Sequence, residues 1–130
     1  MRLAFPFIAP LLLLSACAEE GGGPSERAEA AFERELAGRT AGEPRSCIPA
    51  GAGRRLVVRD SRTIVQDEGR TLWVSRLDRP CPGLDPFGTL EIQAQGGQYC
   101  SGDRVRGLEA GRTIPGPWCV LRDFTPYRLP

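Results

Sequence analysis

The sequence predicts a mainly β protein: a small antiparallel β-barrel or rolled sheet with two disulfides, preceded by one short N-terminal α-helix. Three observations predict it. Short β-branched and aromatic runs recur at close spacing from Leu56 onward, separated by turn formers, as in small antiparallel folds. Helical periodicity occurs over one stretch, at Ala28, Ala31, Phe32 and Leu36. Behind an apolar leader, an even set of cysteines remains: Cys47, Cys81, Cys100 and Cys119. A sandwich of the same strands is the alternative arrangement.

The leader comes first. Met1 and Arg2 form a minimal positive segment, and Leu3 to Leu14 is uncharged and mostly apolar, ending in the run Leu11 to Leu14. This is the length of a signal-peptide core and too short for a membrane span, which needs about 20 apolar residues. Pro6 and Pro10 weigh further against a membrane helix. The following Leu14-Ser15-Ala16-Cys17 resembles the bacterial lipobox, in which the cysteine is acylated and becomes the new N-terminus. The resemblance makes residues 1–16 a lipoprotein signal peptide, Cys17 the lipidation site and the membrane a partner through that anchor. Ala18 after the cysteine implies the outer membrane, facing the periplasm. Ordinary cleavage at Ala16-Cys17-Ala18 is the rival reading and would leave a soluble periplasmic or secreted product.

Residues 17–24 read as a flexible tether, with Glu19, Glu20 and Gly21 to Gly23. Residues 25–43 read as a short helix and linker. Ser25 is a capping residue, Glu26 and Glu29 suit the first turn, and Gly38 can end the helix. A helix of about 12 residues is marginal in water, so Phe32 and Leu36 are expected to dock on the following domain.

Residues 44–130 read as one disulfide-stapled β domain. Strands are expected at Leu56 to Val58, Thr63 to Val65 and Thr71 to Leu77, with Asp67 to Arg70 as a tight turn that needs its glycine. Pro80 to Pro86 must be a pinned surface loop. Thr89 to Ala94 and Gln98 to Cys100 are expected to form a hairpin across Gln95-Gly96-Gly97. Further strands are expected at Arg104 to Leu108 and Trp118 to Leu121, then an extended tail through Phe124, Pro126 and Tyr127.

Four cysteines in an oxidising compartment imply two disulfides and leave three pairings open. The preferred pairing is Cys47 with Cys119 and Cys81 with Cys100, since the first would tie the opening of the domain to its last strand. Zinc is disfavoured, because the chain has no histidine and no Cys-x-x-Cys pair.

Cys47-Ile48-Pro49, Cys81-Pro82-Gly83-Leu84, Tyr99-Cys100-Ser101-Gly102-Asp103 and Cys119 to Pro126 resemble a group of short exported proteins of Gram-negative alphaproteobacteria, known only as a domain of unknown function. The resemblance spans roughly Leu36 to Arg128, including Glu35-Leu36-Ala37-Gly38-Arg39. It implies export and a four-cysteine β domain. No activity is attached to that group, so it carries over no catalytic residue.

Composition narrows the chemistry. All 17 basic residues are arginine, and lysine, histidine and asparagine are absent. Ser-His-Asp and Ser-Lys nucleophiles are therefore excluded. Asp60, Asp67 and Glu68 are the remaining candidates for a small carboxylate-dependent hydrolase, but they fall in turns among arginines. The expectation is no enzyme, no catalytic residue, no cofactor and no metal.

Charge is divided. From Glu19 to Glu43 seven acids face three arginines, a net −4, whereas from Pro44 to Pro130 thirteen arginines face nine acids, a net +4. The helix segment and the domain should attract. Arg54, Arg55, Arg59 and Arg62 are the candidate anion-binding residues, for lipopolysaccharide phosphates or peptidoglycan carboxylates. Gly102-Asp103-Arg104-Val105-Arg106 reads as turn chemistry before a strand, and Trp73 and Trp118 read as core. Nucleic acid is excluded by compartment. The expected role is a non-enzymatic structural or interaction module of the cell envelope, with an envelope protein or an anionic glycan as partner; a binding module for anionic glycans or lipid headgroups is the alternative.

Overall fold

The computed structural model describes residues 24–51 and 53–130; the leader, Cys17 and the tether up to residue 23 lie outside them. Helix α1 (Pro24–Leu36) is followed by β1 (Thr40–Ala41), β2 (Cys47–Pro49), β3 (Leu56–Asp60), β4 (Thr63–Asp67) and β5 (Thr71–Arg76). Then come β6 (Thr89–Gln93), β7 (Gln98–Cys100), β8 (Arg104–Leu108), β9 (Cys119–Val120) and β10 (Phe124–Arg128). All pairings are antiparallel. The main sheet has the order β1-β10-β5-β4-β3, with β2-β7 and β6-β8-β9 as two smaller sheets. The fold is a rolled arrangement of sheets, not a closed barrel.

The helix ends where its residues direct. Gly38 adopts φ +79°, the left-handed region a helix terminus favours, and Arg39 N–H donates to Leu36 O at 3.0 Å. The β4–β5 turn forms as its residues predict: Gly69 takes φ +76°, and its N–H donates to Asp67 Oδ1 at 2.7 Å.

Alternation along the central strands sends side chains to two cores. On one face Val65, Leu72 and Val74 pack with Tyr127 against Phe32 and Leu36 of α1, which is the docking expected of that helix. On the other, Leu56, Val58, Ile64, Trp73, Leu77 and Phe124 meet Ile48, Leu84, Val105 and Leu121, with Leu90 and Ile92 at the margin. The small sheets thus cover one face and the helix the other.

Three expectations are corrected. Cys47 bonds Cys100 and Cys81 bonds Cys119, so the preferred pairing of Cys47 with Cys119 and Cys81 with Cys100 is wrong. The cause is strand pairing. Cys47 and Cys100 lie opposite each other on β2 and β7, and the Ser101 N–H to Ser46 O bond leaves them as the closely approaching, non-hydrogen-bonded pair. Second, the hairpin between Thr89 to Ala94 and Gln98 to Cys100 stops after the Gln95–Gln98 bridge. Beyond it β6 pairs with β8 over five residues and β7 turns away to β2, where Ile48 is buried. Third, Trp73 is core but Trp118 is only partly buried, with guanidinium groups on its ring.

The extended tail proves to be a strand inside the main sheet. Proline is rare at such positions because it cannot donate to the ladder. Pro126 escapes the penalty toward β5: its carbonyl accepts from Gly42 N–H at 2.8 Å, so its donorless nitrogen faces the chain leaving β1.

Candidate functional site

Residues 82–88 and 109–117, two loops at one end of the molecule, form the candidate site. Cys81 and Cys119 anchor their bases to each other. The first loop lies backbone to backbone against β8 and against the second loop: a methyl group on Gly107 of β8 would overlap the Gly83 carbonyl, and one on Gly116 would overlap that of Pro82. Gly116 N–H also donates to Gly107 O at 2.8 Å. Only glycine permits this approach.

Asp85 completes the lock. Its Oδ1 accepts from Phe87 N–H and its Oδ2 from Ala110 N–H, each at 3.0 Å, so one carboxylate joins both loops. The Ala110 bond first, then the Phe87 bond, holds its pKa below the ordinary aspartate value.

What the locked loops present is apolar. Phe87 is 89% exposed and Ile114 is 83% exposed, the two most exposed large hydrophobic side chains of the described residues. Phe87 borders a mainly apolar cleft of ≈340 Å³ with Ser25, Ala28, Asp60, Leu84 and Glu109. Ile114 borders a second cleft of ≈370 Å³, and Glu109 lines both. The start of α1 meets this end of the domain, since Ser25 and Ser61 hydroxyls lie 3.0 Å apart. Isolated exposed hydrophobics are ordinary, but two held on loops locked to each other suit an interaction surface.

Three of the four candidate arginines have partners within the molecule. Arg59 Nε and Nη2 donate to Glu35 at 2.9 and 3.0 Å. Arg62 Nε donates to Leu77 O at 2.8 Å, and Arg54 lies 3.6 Å from Glu68. Arg55 alone stays open, at the rim of a ≈540 Å³ cleft between β3 and β6. Three of the four thus have intramolecular work to do.

A different arginine pair frames an aromatic surface. Arg104 and Arg106, alternate residues of β8, lie 5.1 and 4.4 Å from the Trp118 ring centre. Arg106 also donates to Glu91 Oε2 at 2.7 Å. The signal in the sequence was the Arg-x-Arg alternation on a predicted strand.

The candidate carboxylates have structural partners. Asp60 Oδ1 accepts from Arg62 N–H, Asp67 caps the β4–β5 turn, and Glu68 accepts from Trp73 Nε1 at 3.2 Å. Asp60 Oδ2 is buried without a hydrogen-bond partner beside the Phe87 cleft. Elsewhere Asp78 is held below its ordinary pKa chiefly by its bond to Arg122, and Arg122 is raised in return.

Compared with family models, curated proteins and solved structures, the chain shows no match. Its two disulfides suit an oxidising, extracytoplasmic compartment. No helix among the described residues is long and apolar enough to cross a membrane.

Proposed function

We propose that this chain is a cell-envelope lipoprotein in which Cys17 carries the lipid and the disulfide-stapled domain serves as a non-enzymatic structural or interaction module at the outer membrane, facing the periplasm. The observation that supports this best is the fastening of α1. The helix that follows the tether buries Phe32 and Leu36 and is pinned by ion pairs from Glu35 to Arg59 and from Glu33 to Arg76. A short tether leading into such a helix would keep the whole rigid domain within its reach of an acylated Cys17. The oxidising compartment and the lipobox resemblance point the same way, as does the resemblance to exported four-cysteine proteins.

The test is recovery of the intact protein from crosslinked envelopes beside a Cys17→Ala form, with mass determination of the N-terminal peptide. Acyl mass on Cys17 and loss of membrane retention in the alanine form are expected. An unmodified Cys17, or equal retention of both forms, overturns the proposal.

A second reading, a module for anionic envelope glycans or lipid headgroups, is favoured by Trp118 with Arg104 and Arg106, which join a stacking face to positive charge. It requires salt-sensitive retention on purified sacculi or lipopolysaccharide. Retention unchanged in Trp118→Ala with Arg104→Glu would sink it, and Arg54→Glu with Arg55→Glu serves as the comparison.

A further inference from the structure

We propose that the Phe87 and Ile114 loops rest on the lipid surface, so that the domain sits on the membrane with this end down. The inference deepens the lipoprotein reading and rests on it. Chain length and direction point to it.

Cys17 is seven residues before Pro24. Even fully extended, those residues span only about 25 Å. An acylated Cys17 therefore keeps the start of α1 within about 25 Å of the bilayer surface, less than the diameter of a small domain. The start of α1 is at the loop end: Ser25 and Ala28 border the same cleft as Phe87, and Ser25 meets Ser61 in the β3–β4 turn. The chain thus enters α1 beside Phe87, the most exposed aromatic ring among the described residues. A short leash attached next to an apolar tip brings that tip to the surface before any other part.

The chemistry of the tip suits a lipid interface. Phe87 and Ile114 offer apolar side chains, Pro86 beside Phe87 is exposed, and the nearby Arg112 pairs with Glu109 at 3.4 Å. Interfacial segments insert such side chains to the depth of the headgroup boundary. The Asp85 bonds and the glycine contacts hold the loops in shape beforehand, so little ordering is needed on contact. The acyl chains supply the affinity and the tip supplies the orientation.

The experiment uses the acylated protein in vesicles of phosphatidylethanolamine and phosphatidylglycerol, some of whose acyl chains are brominated to quench tryptophan. Phe87→Trp is compared with Leu129→Trp, whose backbone N–H donates to Arg70 O near the β4–β5 turn, at the other end of β4 and β5. Both are read as increments over the two native tryptophans. Both positions are exposed, so the fold should tolerate each change. Phe87→Trp should shift to shorter wavelength and be quenched, and Leu129→Trp should do neither. Adding Ile114→Ser should reduce the quenching at position 87. Equal quenching at both positions, or none at position 87 on a chain shown by mass to be acylated, overturns the proposal and leaves the lipoprotein reading standing. Quenching or protection at position 87 that needs added envelope protein also overturns it, in favour of a protein partner. A Cys17 without acyl mass overturns both readings together.

Discussion

Glu35, in the last turn of α1, is gripped by both the Nε and Nη2 of Arg59 on β3, at 2.9 and 3.0 Å. The two side chains come from the acidic segment and the basic domain, whose opposite charges predicted attraction. Both are only partly exposed, at 25% for Arg59 and 32% for Glu35. A two-bonded guanidinium–carboxylate pair in that setting should exceed the value of a solvated surface pair. In a double-mutant cycle with Glu35→Ala and Arg59→Ala, urea denaturation should give a coupling of about 1 kcal/mol. A coupling near zero would mean that apolar docking alone holds the helix.

Gly107 carries the tightest backbone approach in the candidate site. Gly107→Ala would drive a methyl into the Gly83 carbonyl, and neither backbone can give way because the Cys81–Cys119 bond holds the loop base. A loss of about 3 kcal/mol is expected by denaturation. Gly96→Ala is the comparison. Its methyl would meet open space and only the positive φ of 67° resists it, so about 1 kcal/mol should be lost.

The disulfides close loops of 53 and 38 residues, for Cys47–Cys100 and Cys81–Cys119. The chain-entropy model gives each about 4 kcal/mol, comparable with the whole net stability of a small domain. Non-reducing peptide mapping should return these two linkages. Cys47→Ser with Cys100→Ser, and Cys81→Ser with Cys119→Ser, should each lower the denaturation midpoint strongly. Only the second pair should also loosen residues 82–88 in hydrogen exchange.

Which elements are legible in the sequence follows the range of the interactions that form them. α1, β3, β4 and β5 were legible because their evidence is local: apolar spacing, a turn with Gly69, a terminal Gly38. The fate of β7 was not, since Gly96 and Gly97 favour a hairpin that longer-range pairing with β2 interrupts. Cysteine pairing depended on that same register and failed with it. The tail concealed a strand because Pro126 argues against one until the direction of its carbonyl is known. Of the candidate site, the pinned loop from Pro80 to Pro86 was legible from its prolines and glycine. The exposure of Phe87 and Ile114 was not, because an apolar residue in a loop gives no sign of which way it faces. The arginine cluster Arg54 to Arg62 looked free in sequence, because the partners Glu35, Leu77 and Glu68 that three of its members find come from distant parts of the chain.

Asp85 should make the loop end sensitive to acid. Its folded pKa lies below the ordinary carboxylate value of 3.8, because two backbone N–H groups stabilise the charged form. A depressed carboxylate contributes stability that is fully present above the unfolded pKa and is lost as pH falls through the folded one. The lock should therefore hold at neutral pH and weaken below about pH 4. Hydrogen exchange, corrected for its intrinsic pH dependence, should show the Ala110 and Phe87 amides losing protection in that range. The Gly42 amide, bonded to the Pro126 carbonyl, should not follow them. Asp85→Asn keeps a single carbonyl acceptor and no charge, so one of the two amides should already be unprotected at neutral pH.

Phe32 decides whether α1 is part of the folded unit or an ornament on it. Its ring is 2% exposed, packs with Leu36, Val65, Leu72 and Val74, and lies under the Arg76 guanidinium at 5.5 Å. Phe32→Ala should cost about 3 kcal/mol through lost burial and the cavity left behind. A helix of 13 residues has little stability of its own, so the loss should fall first on α1. Limited proteolysis of the variant should cut within residues 24–36 while the disulfide-bonded strands stay intact. Cleavage spread evenly over the chain would instead make the helix indispensable to the main sheet, because Val65, Leu72 and Val74 would then have no cover on that face.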